Sequence, residues 1–193
     1  MKENFIVVHA GRRDDYQVAL ALNENQKLKF LVTDFYAPYD FLWFKISSII
    51  IPNNIVSIFS KRYKTGLESH RVKISFIALY YSFLYTLTKK IKYSLLKDKS
   101  LGVKASKLAK KYNCDVLSMN TYATYAFKNL ESKQAVLFQF HPHPTFVKKI
   151  LEEEMQLNKS TVNSLSKEYE FSLSKLELES LSKEIWLADK IIC

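Results

Sequence analysis

Short apolar segments alternate with helical patterns along this chain of 193 residues, and the alternation predicts an α/β fold. The expected strands are residues 5–9, 30–34, 115–119, 135–140 and 190–193. The expected helices are residues 14–25, 104–113, 146–157 and 164–188. Because strands and helices of these lengths form βαβ units, we predict a parallel sheet with helices on both faces.

The first strand and the helix after it begin the predicted sheet. The apolar run in MKENFIVVHAG is too short for a signal peptide and fits a strand over residues 5–9. Residues 14–25, DDYQVALALNEN, open with acidic residues that suit a helix N-terminus and then repeat apolar residues at helical spacing. The second strand, residues 30–34, follows after a short connection.

The later elements have their own patterns. Residues 104–113 form a short amphipathic helix pattern that leads into the third strand. Residues 135–140 are apolar except for Gln139, as expected of a strand that is covered on both faces. Two prolines then end the strand and favour a helix start, which predicts the helix at residues 146–157. Residues 164–188 contain little that would interrupt a longer helix.

Residues 36–60 and 74–87 do not fit the simple alternation. The first segment is rich in aromatic residues and isoleucine, and the second is an uncharged apolar run. The second run is shorter than the roughly 20 residues that span a bilayer. The lysines that follow it are Lys89, Lys90, Lys92, Lys97 and Lys99. This pattern fits a surface that lies in a membrane interface, and it fits equally a buried helix with a solvated basic end.

The composition narrows the possible classes of function. Only 3 residues are glycine, and neither a G-x-G-x-x-G fingerprint nor a Walker lysine loop is present. The two cysteines, Cys114 and Cys193, form no CxxC pair, which indicates a reducing compartment without a disulfide framework or a zinc knuckle. The net charge of +10 is concentrated in residues 26–113, whose own net charge is +13. This basic middle third indicates an anionic partner, either phospholipid or nucleic acid.

Two histidines mark the candidate site. His141 and His143, in the motif HPHP, follow the predicted strand at residues 135–140 and precede a helix. Open α/β sheets bind ligands at the carboxyl ends of their strands, and histidine transfers protons near neutral pH. The alternative is that these histidines cap the helix or fill a polar gap. A metal site is the weaker interpretation, because zinc takes three or four ligands and no Cys, Asp or further His lies nearby in sequence.

Three segments, in their order and spacing, resemble the amino-terminal half of a GT-B glycosyltransferase of the family 4 type. They are HAGRRDDYQVALAL, LKFLVTDFYAP and VLFQFHPHPTFVKKILEEE, the last followed by SLSKEYEFSLSKLELESLSKEIWLADKIIC. The resemblance covers nearly the whole chain and implies one Rossmann-like domain, residues 1–193, on the acceptor side of such an enzyme. These enzymes have a second, donor-binding domain, and this chain stops at Cys193 within an expected strand. We therefore expect a fragment or a truncated product.

The resemblance implies a role for the loop after the first strand. In similar enzymes, the loop that corresponds to Gly11, Arg12 and Arg13 faces the cleft and approaches the donor phosphates. Glycine permits close backbone approach, and arginine can clamp an oxyanion with two hydrogen bonds. The alternative is a solvated turn in which the arginines pair with Asp14 and Asp15.

The resemblance also implies residues for the sugar and the acceptor. His141 or His143 would face the reacting sugar and help to stabilise an oxocarbenium-like transition state. The expected acceptor pocket comprises the strand-end residues Asp34, Tyr36, Asn120, Thr121 and Tyr122. A strand-end Asp is as often a helix cap, so both interpretations of Asp34 stay open.

The expected reaction moves a sugar from a nucleotide-sugar donor, which is a substrate and not a cofactor, to a glycan or lipid-linked acceptor. The family implies retention of configuration and no metal, since basic side chains stabilise the leaving group. We expect a cytoplasmic location, with a peripheral position on the inner face of the membrane as an option. The alternative function is a non-catalytic α/β module whose basic middle third binds a membrane surface or a protein partner. We expect no nucleic-acid partner, because no recognised motif for one is present.

Overall fold

The computed structural model describes residues 4–36, 62–128, 130 and 134–193, which form a six-stranded sheet with helices packed against it. The strands are β1 (Phe5–Val8), β2 (Leu28–Thr33), β3 (Val72–Ile74), β4 (Asp115–Met119), β5 (Ala135–Phe138) and β6 (Lys190–Ile192). Their order is β3-β2-β1-β4-β5-β6, and all neighbouring strands are parallel. This is the doubly wound order of Rossmann-like folds. The predicted α/β fold class is confirmed.

Helices cover both faces of this sheet. Those of the described residues are α1 (Gln17–Glu24), α2 (Phe76–Thr88), α3 (Ile91–Tyr112), α4 (Ala123–Phe127), α5 (Pro144–Leu157), α6 (Val162–Leu165), α7 (Tyr169–Ser172) and α8 (Lys175–Leu187). Successive side chains of a strand point to opposite faces. Ile6 and Val8 accordingly pack in the apolar layer that contains α3 and α4, whereas Val7 packs in the layer that contains α1.

Gly102, in the middle of α3, lets this helix approach α4 closely. A Cβ atom at this position would lie 2.6 Å from the carbonyl oxygen of Tyr122 and 2.8 Å from the Cβ atom of Tyr125. Any side chain here would push the helices apart, because buried elements have little room to shift. Gly102 therefore fixes the loop after β4, which carries three of the predicted site residues.

The prediction of one continuous helix over residues 164–188 is wrong. The chain forms three separate helices there, and α8 begins after a new cap at Ser174. The Ser174 Oγ accepts the N–H of Glu177 at 3.3 Å, and the Glu177 carboxylate accepts the N–H of Ser174 at 2.8 Å. This capping box starts a new helix where apolar periodicity alone indicated a continuous one.

Other boundaries also differ from the predictions. The helix predicted at residues 104–113 is only the end of α3, which begins at Ile91. The sequence did not predict β3, because a strand of three residues that includes Lys73 has no clear apolar pattern. Apart from Tyr36, the aromatic-rich segment at residues 36–60 lies outside the described residues.

Candidate functional site

The strand order changes direction between β1 and β4, and a cleft lies at the carboxyl edge of the sheet beside this point. The histidine chamber is a cavity of about 190 Å³ whose wall includes Arg13, Asn120, Thr121, His141, His143 and Glu184. The lysine chamber is a cavity of about 310 Å³ whose wall includes Arg13, Lys97, Asp98, Thr121 and Tyr122. Because Arg13 and Thr121 belong to both walls, the two chambers are parts of one cleft.

Arg13 is the cation that the two chambers share. Its guanidinium donates a hydrogen bond to the carbonyl oxygen of Asn120 at 3.1 Å and lies 5.9 Å from the centre of the Phe140 ring. Within the described ranges, no carboxylate lies at ion-pair distance from Arg13. The side chain is therefore oriented toward the cleft while part of its hydrogen-bonding capacity faces the cavity.

Arg12 and Gly11 have other contacts. The Arg12 guanidinium pairs with Asp15, which is also paired with the Lys64 ammonium. The Gly11 N–H donates a hydrogen bond to Asp34 at 2.7 Å. Arg12 thus adopts the paired arrangement that the sequence left as the alternative.

A strained turn positions Arg13. Asp14, Asp15 and Tyr16 have positive φ angles of 49°, 54° and 60°, a region that L-residues rarely occupy in succession. The Asp14 carboxylate accepts the N–H of Val18 at 2.8 Å, so the acidic residue does cap α1, although this helix begins three residues later than predicted. The buried Tyr16 ring anchors the end of the turn in the core. Strain of this kind is frequent at functional loops.

Asp34 and Tyr36 are buried and lie outside both chamber walls. The Asp34 carboxylate accepts two hydrogen bonds from Arg62, each 2.9 Å, and one from the Ser82 hydroxyl at 3.2 Å. Burial opposes ionisation of Asp34, but the Arg62 charge and the Gly11 N–H outweigh it and lower the pKa of the carboxyl. The Tyr36 hydroxyl lies 3.1 Å from the carbonyl oxygen of Leu67. Both side chains therefore stabilise the folded structure at this end of the sheet.

His9, which the sequence analysis placed in a strand without a role, directly follows β1. Its ring is fully buried, and no well-aligned hydrogen bond from a described residue reaches either ring nitrogen, although the backbone of Ala10 and Gly11 lies close enough to oppose part of the fall in its pKa. Burial lowers the pKa of His9 to about 4, so the ring is neutral at physiological pH. It packs 5.5 Å from the Tyr16 ring, between centroids, and so supports the turn that carries Arg13.

The two predicted catalytic histidines have different surroundings. His143 caps α5: its Nδ1 accepts the N–H of Thr145 at 3.3 Å, and its Nε2 lies 3.3 Å from the Ser182 hydroxyl. Burial lowers the pKa of His143, which favours the neutral ring that this cap requires. The His141 ring is exposed on the chamber wall, and no described residue forms a hydrogen bond with it. His141 is therefore the histidine whose ring nitrogens are open to a ligand.

Glu184, which the sequence analysis did not select, organises the loop after β4. Its buried carboxylate accepts the N–H groups of Thr121 at 2.9 Å, Ala123 at 3.2 Å and Thr124 at 3.5 Å. These bonds hold Thr121 at a positive φ of 83°. Burial raises the pKa of Glu184 to about 7, although the three N–H groups act in the opposite direction.

The sequence did contain a signal for Glu184. Leu178, Leu181, Ile185 and Ala188 form an apolar stripe with helical spacing, and Glu184 interrupts it. A carboxylate on the buried side of a helix needs several hydrogen-bond donors. The same loop places Asn120, Thr121 and Tyr122 at the cleft, as the strand-end pattern predicted for their position.

An ion pair forms part of the lysine chamber. The Lys97 ammonium lies 3.2 Å from Oδ1 of Asp98, and both side chains are largely buried. Burial raises the pKa of Asp98 to about 6 despite the attraction of Lys97. The chamber thus offers a carboxyl that exchanges a proton near neutral pH beside a fixed cation. In the part of the chain that the structure describes, no three His, Cys, Asp or Glu side chains are grouped as metal ligands would be.

Comparison with known proteins found no match in a scan against protein-family models, in a search of curated proteins or in a search of solved structures. The Rossmann-like fold is therefore defined by the sheet topology alone. The resemblance to glycosyltransferases depends only on the sequence segments quoted above.

Proposed function

We propose that this chain is the amino-terminal, acceptor-side domain of a GT-B glycosyltransferase that transfers a sugar from a nucleotide-sugar to a glycan or lipid-linked acceptor. One observation carries the proposal: Arg13, Asn120 and His141, from three separate segments, line one cavity at the point where the strand order changes direction. Ligand sites of doubly wound folds lie at this point. A cation and an uncommitted imidazole there suit a phosphate-bearing ligand.

The chemistry of glycosyl transfer assigns each group a task. The bond between the anomeric carbon and the phosphate oxygen breaks, and negative charge grows on the departing diphosphate. Arg13 would bind these oxygens; in support, its guanidinium donates a hydrogen bond to the Asn120 carbonyl and lies on the wall of the cleft. His141 would donate a hydrogen bond to the diphosphate or to a sugar hydroxyl. Donors that are fixed in advance stabilise such charge without reorganisation.

The lysine chamber suits the acceptor. As the acceptor oxygen bonds to the anomeric carbon, its hydroxyl proton would pass to Asp98, whose pKa is raised to about 6 and whose carboxyl Lys97 holds in place. The chamber meets the histidine chamber at Arg13 and Thr121. Donor and acceptor hydroxyl would therefore occupy neighbouring parts of one cleft.

The test is ligand-observed NMR of the 193-residue chain with UDP, GDP, UDP-glucose and GDP-mannose, which detects millimolar binding. We expect Arg13→Gln to weaken binding about tenfold or more, because a charge-assisted hydrogen bond contributes about 1.5–3 kcal/mol. Arg12→Gln is the matched control, since this neighbouring guanidinium pairs with Asp15, and it should change the affinity less than twofold. Equal losses in both variants would refute the assignment of Arg13. The absence of binding to all four ligands would refute the donor-phosphate role that we assign to Arg13 and His141.

A further inference from the structure

One side of α2 exposes a continuous row of large apolar side chains. Phe76, Tyr80, Phe83 and Leu87 recur at intervals of four, three and four residues, which places them on one face of the helix. Their exposed fractions are 76%, 58%, 60% and 63%. Soluble proteins expose apolar residues singly, and a contiguous row marks an interaction surface.

A groove beside this row joins it to a row of lysines. The groove lies between α2 and α3, has a volume of about 600 Å³, and is lined on the apolar side by Ile77, Leu96 and Val103. Its wall also includes Lys99, Lys104 and Lys107. Because Leu96, Lys99, Val103 and Lys107 are three or four residues apart, they form one face of α3. Apolar and cationic side chains therefore share one surface, which we name the α2–α3 face.

We propose that the α2–α3 face docks onto the surface of an anionic phospholipid bilayer. Aromatic and aliphatic side chains would enter the boundary between headgroups and acyl chains, while the lysines bind the lipid phosphates. Charge complementarity selects this occupant, since the exposed lysines Lys89, Lys90 and Lys92 continue the positive charge beyond the end of α2. In the described part of the chain, no helix is both long and apolar enough to cross a membrane. Docking therefore has α2 lying along the surface.

The opposite side of α2 is fixed to the protein and would keep the face rigid. Ser75 caps this helix, Ala78 is buried in the core, and the Ser82 hydroxyl binds Asp34. The inference does not depend on the proposed transferase activity.

The test is co-sedimentation of the chain with vesicles of phosphatidylglycerol and phosphatidylcholine, compared with vesicles of phosphatidylcholine alone. We expect binding to the anionic vesicles that weakens steeply with salt. The double variant Tyr80→Ser/Phe83→Ser should lower the partition coefficient at least tenfold, because two exposed rings can no longer be buried in the membrane. Lys99→Glu/Lys107→Glu should lower it by a similar factor.

Matched controls alter the same residue types elsewhere. Leu157→Ser/Leu176→Ser removes two exposed apolar side chains outside the face, and Lys167→Glu/Lys183→Glu reverses two exposed lysines there. Both controls should bind vesicles within threefold of the unchanged chain. Loss of binding in the controls as large as in the face variants would overturn the proposal. So would an absence of vesicle binding together with a dimer that Tyr80→Ser/Phe83→Ser dissociates, since the occupant would then be a second copy of the chain. Nucleotide binding is measured without vesicles, so either proposal can fail alone.

Discussion

The two halves of the sheet's carboxyl edge use similar polar residues in opposite ways. After β1 and β2, Gly11 and Asp34 are bound to each other and to other parts of the protein, whereas Arg13 of the loop after β1 reaches across to the cleft. After β4 and β5, Asn120, Thr121 and His141 line an open cavity. A position directly after a strand thus predicts that a polar residue lies at the carboxyl edge of the sheet. Whether that residue is available to a ligand depends on hydrogen-bond partners that are distant in sequence.

The partners in each half explain the difference. Asp34 meets Arg62 and Ser82, which lie 28 and 48 residues further along the chain and saturate the carboxylate. In the other half, Glu184 binds backbone N–H groups of the loop after β4. Because Glu184 fixes the backbone of this loop, the loop side chains remain available to line the cleft. We call the half after β1 and β2 the closed half and the half after β4 and β5 the open half. The closed half should matter most for stability, and the open half should matter most for binding.

Asp34→Ala should cause the largest loss in the free energy of unfolding. The variant leaves the partly buried Arg62 guanidinium without its partner and the Gly11 N–H without an acceptor. Breaking a buried ion pair on one side costs about 3–5 kcal/mol, so we expect this loss in the free energy of unfolding in urea. The double variant Asp34→Leu/Arg62→Met should be more stable than Asp34→Ala, because no unpaired charge remains.

The control for this prediction is Glu152→Ala. Its carboxylate is exposed and lies 3.9 Å from Lys148, a surface pair whose removal should cost at most about 0.5 kcal/mol. A loss below 1 kcal/mol in Asp34→Ala would show that the closed half is not the stabilising one. The contrast between the halves would then be wrong.

Glu184→Gln should change the free energy of unfolding by a smaller amount, and this change should depend on pH. The pKa of this carboxyl is raised from 4.5 to about 7 in the folded chain, so its stabilising contribution is complete below pH 4.5 and is lost as the pH rises through 7. A shift of this size corresponds to about 3 kcal/mol at most. The free-energy difference between the unchanged chain and Glu184→Gln should therefore fall between pH 4.5 and 8, as measured by urea unfolding.

Taking a difference between the two chains removes the contributions of titrating groups that do not interact with Glu184, whereas the charge of Asp98 acts on Glu184 and does not cancel completely. Glu179→Gln, on an exposed position of the same helix, should show no such trend. If the difference for Glu184→Gln is independent of pH, the carboxyl does not titrate where its burial indicates, and its hold on the loop after β4 needs another explanation.

The sequence predicted the strands better than it predicted the helix boundaries or the use of each residue. Apolar runs such as residues 135–140 carry their own signal, because a buried parallel strand is apolar on both faces. The start of α8 depended on a two-residue cap, which periodicity does not detect. The partnership of Asp34 with Arg62 joins residues whose contact no local pattern encodes. The sequence therefore predicted which residues lie at the carboxyl edge of the sheet. It did not predict which half of this edge is closed by hydrogen bonds and which half is open to a ligand.

The smallest expected effects distinguish the roles of the two histidines of the open half. His143→Ala removes the cap of α5 and should cost about 1 kcal/mol of unfolding free energy, whereas His143→Asn retains a capping side chain and should restore most of it. His141→Ala should leave stability unchanged but weaken nucleotide-sugar binding in the NMR experiment. If His143→Asn also weakened binding as strongly, both rings would contact the ligand. Because a cap and a ligand contact respond to different substitutions, the pair of measurements distinguishes a residue that builds the cleft from one that acts in it.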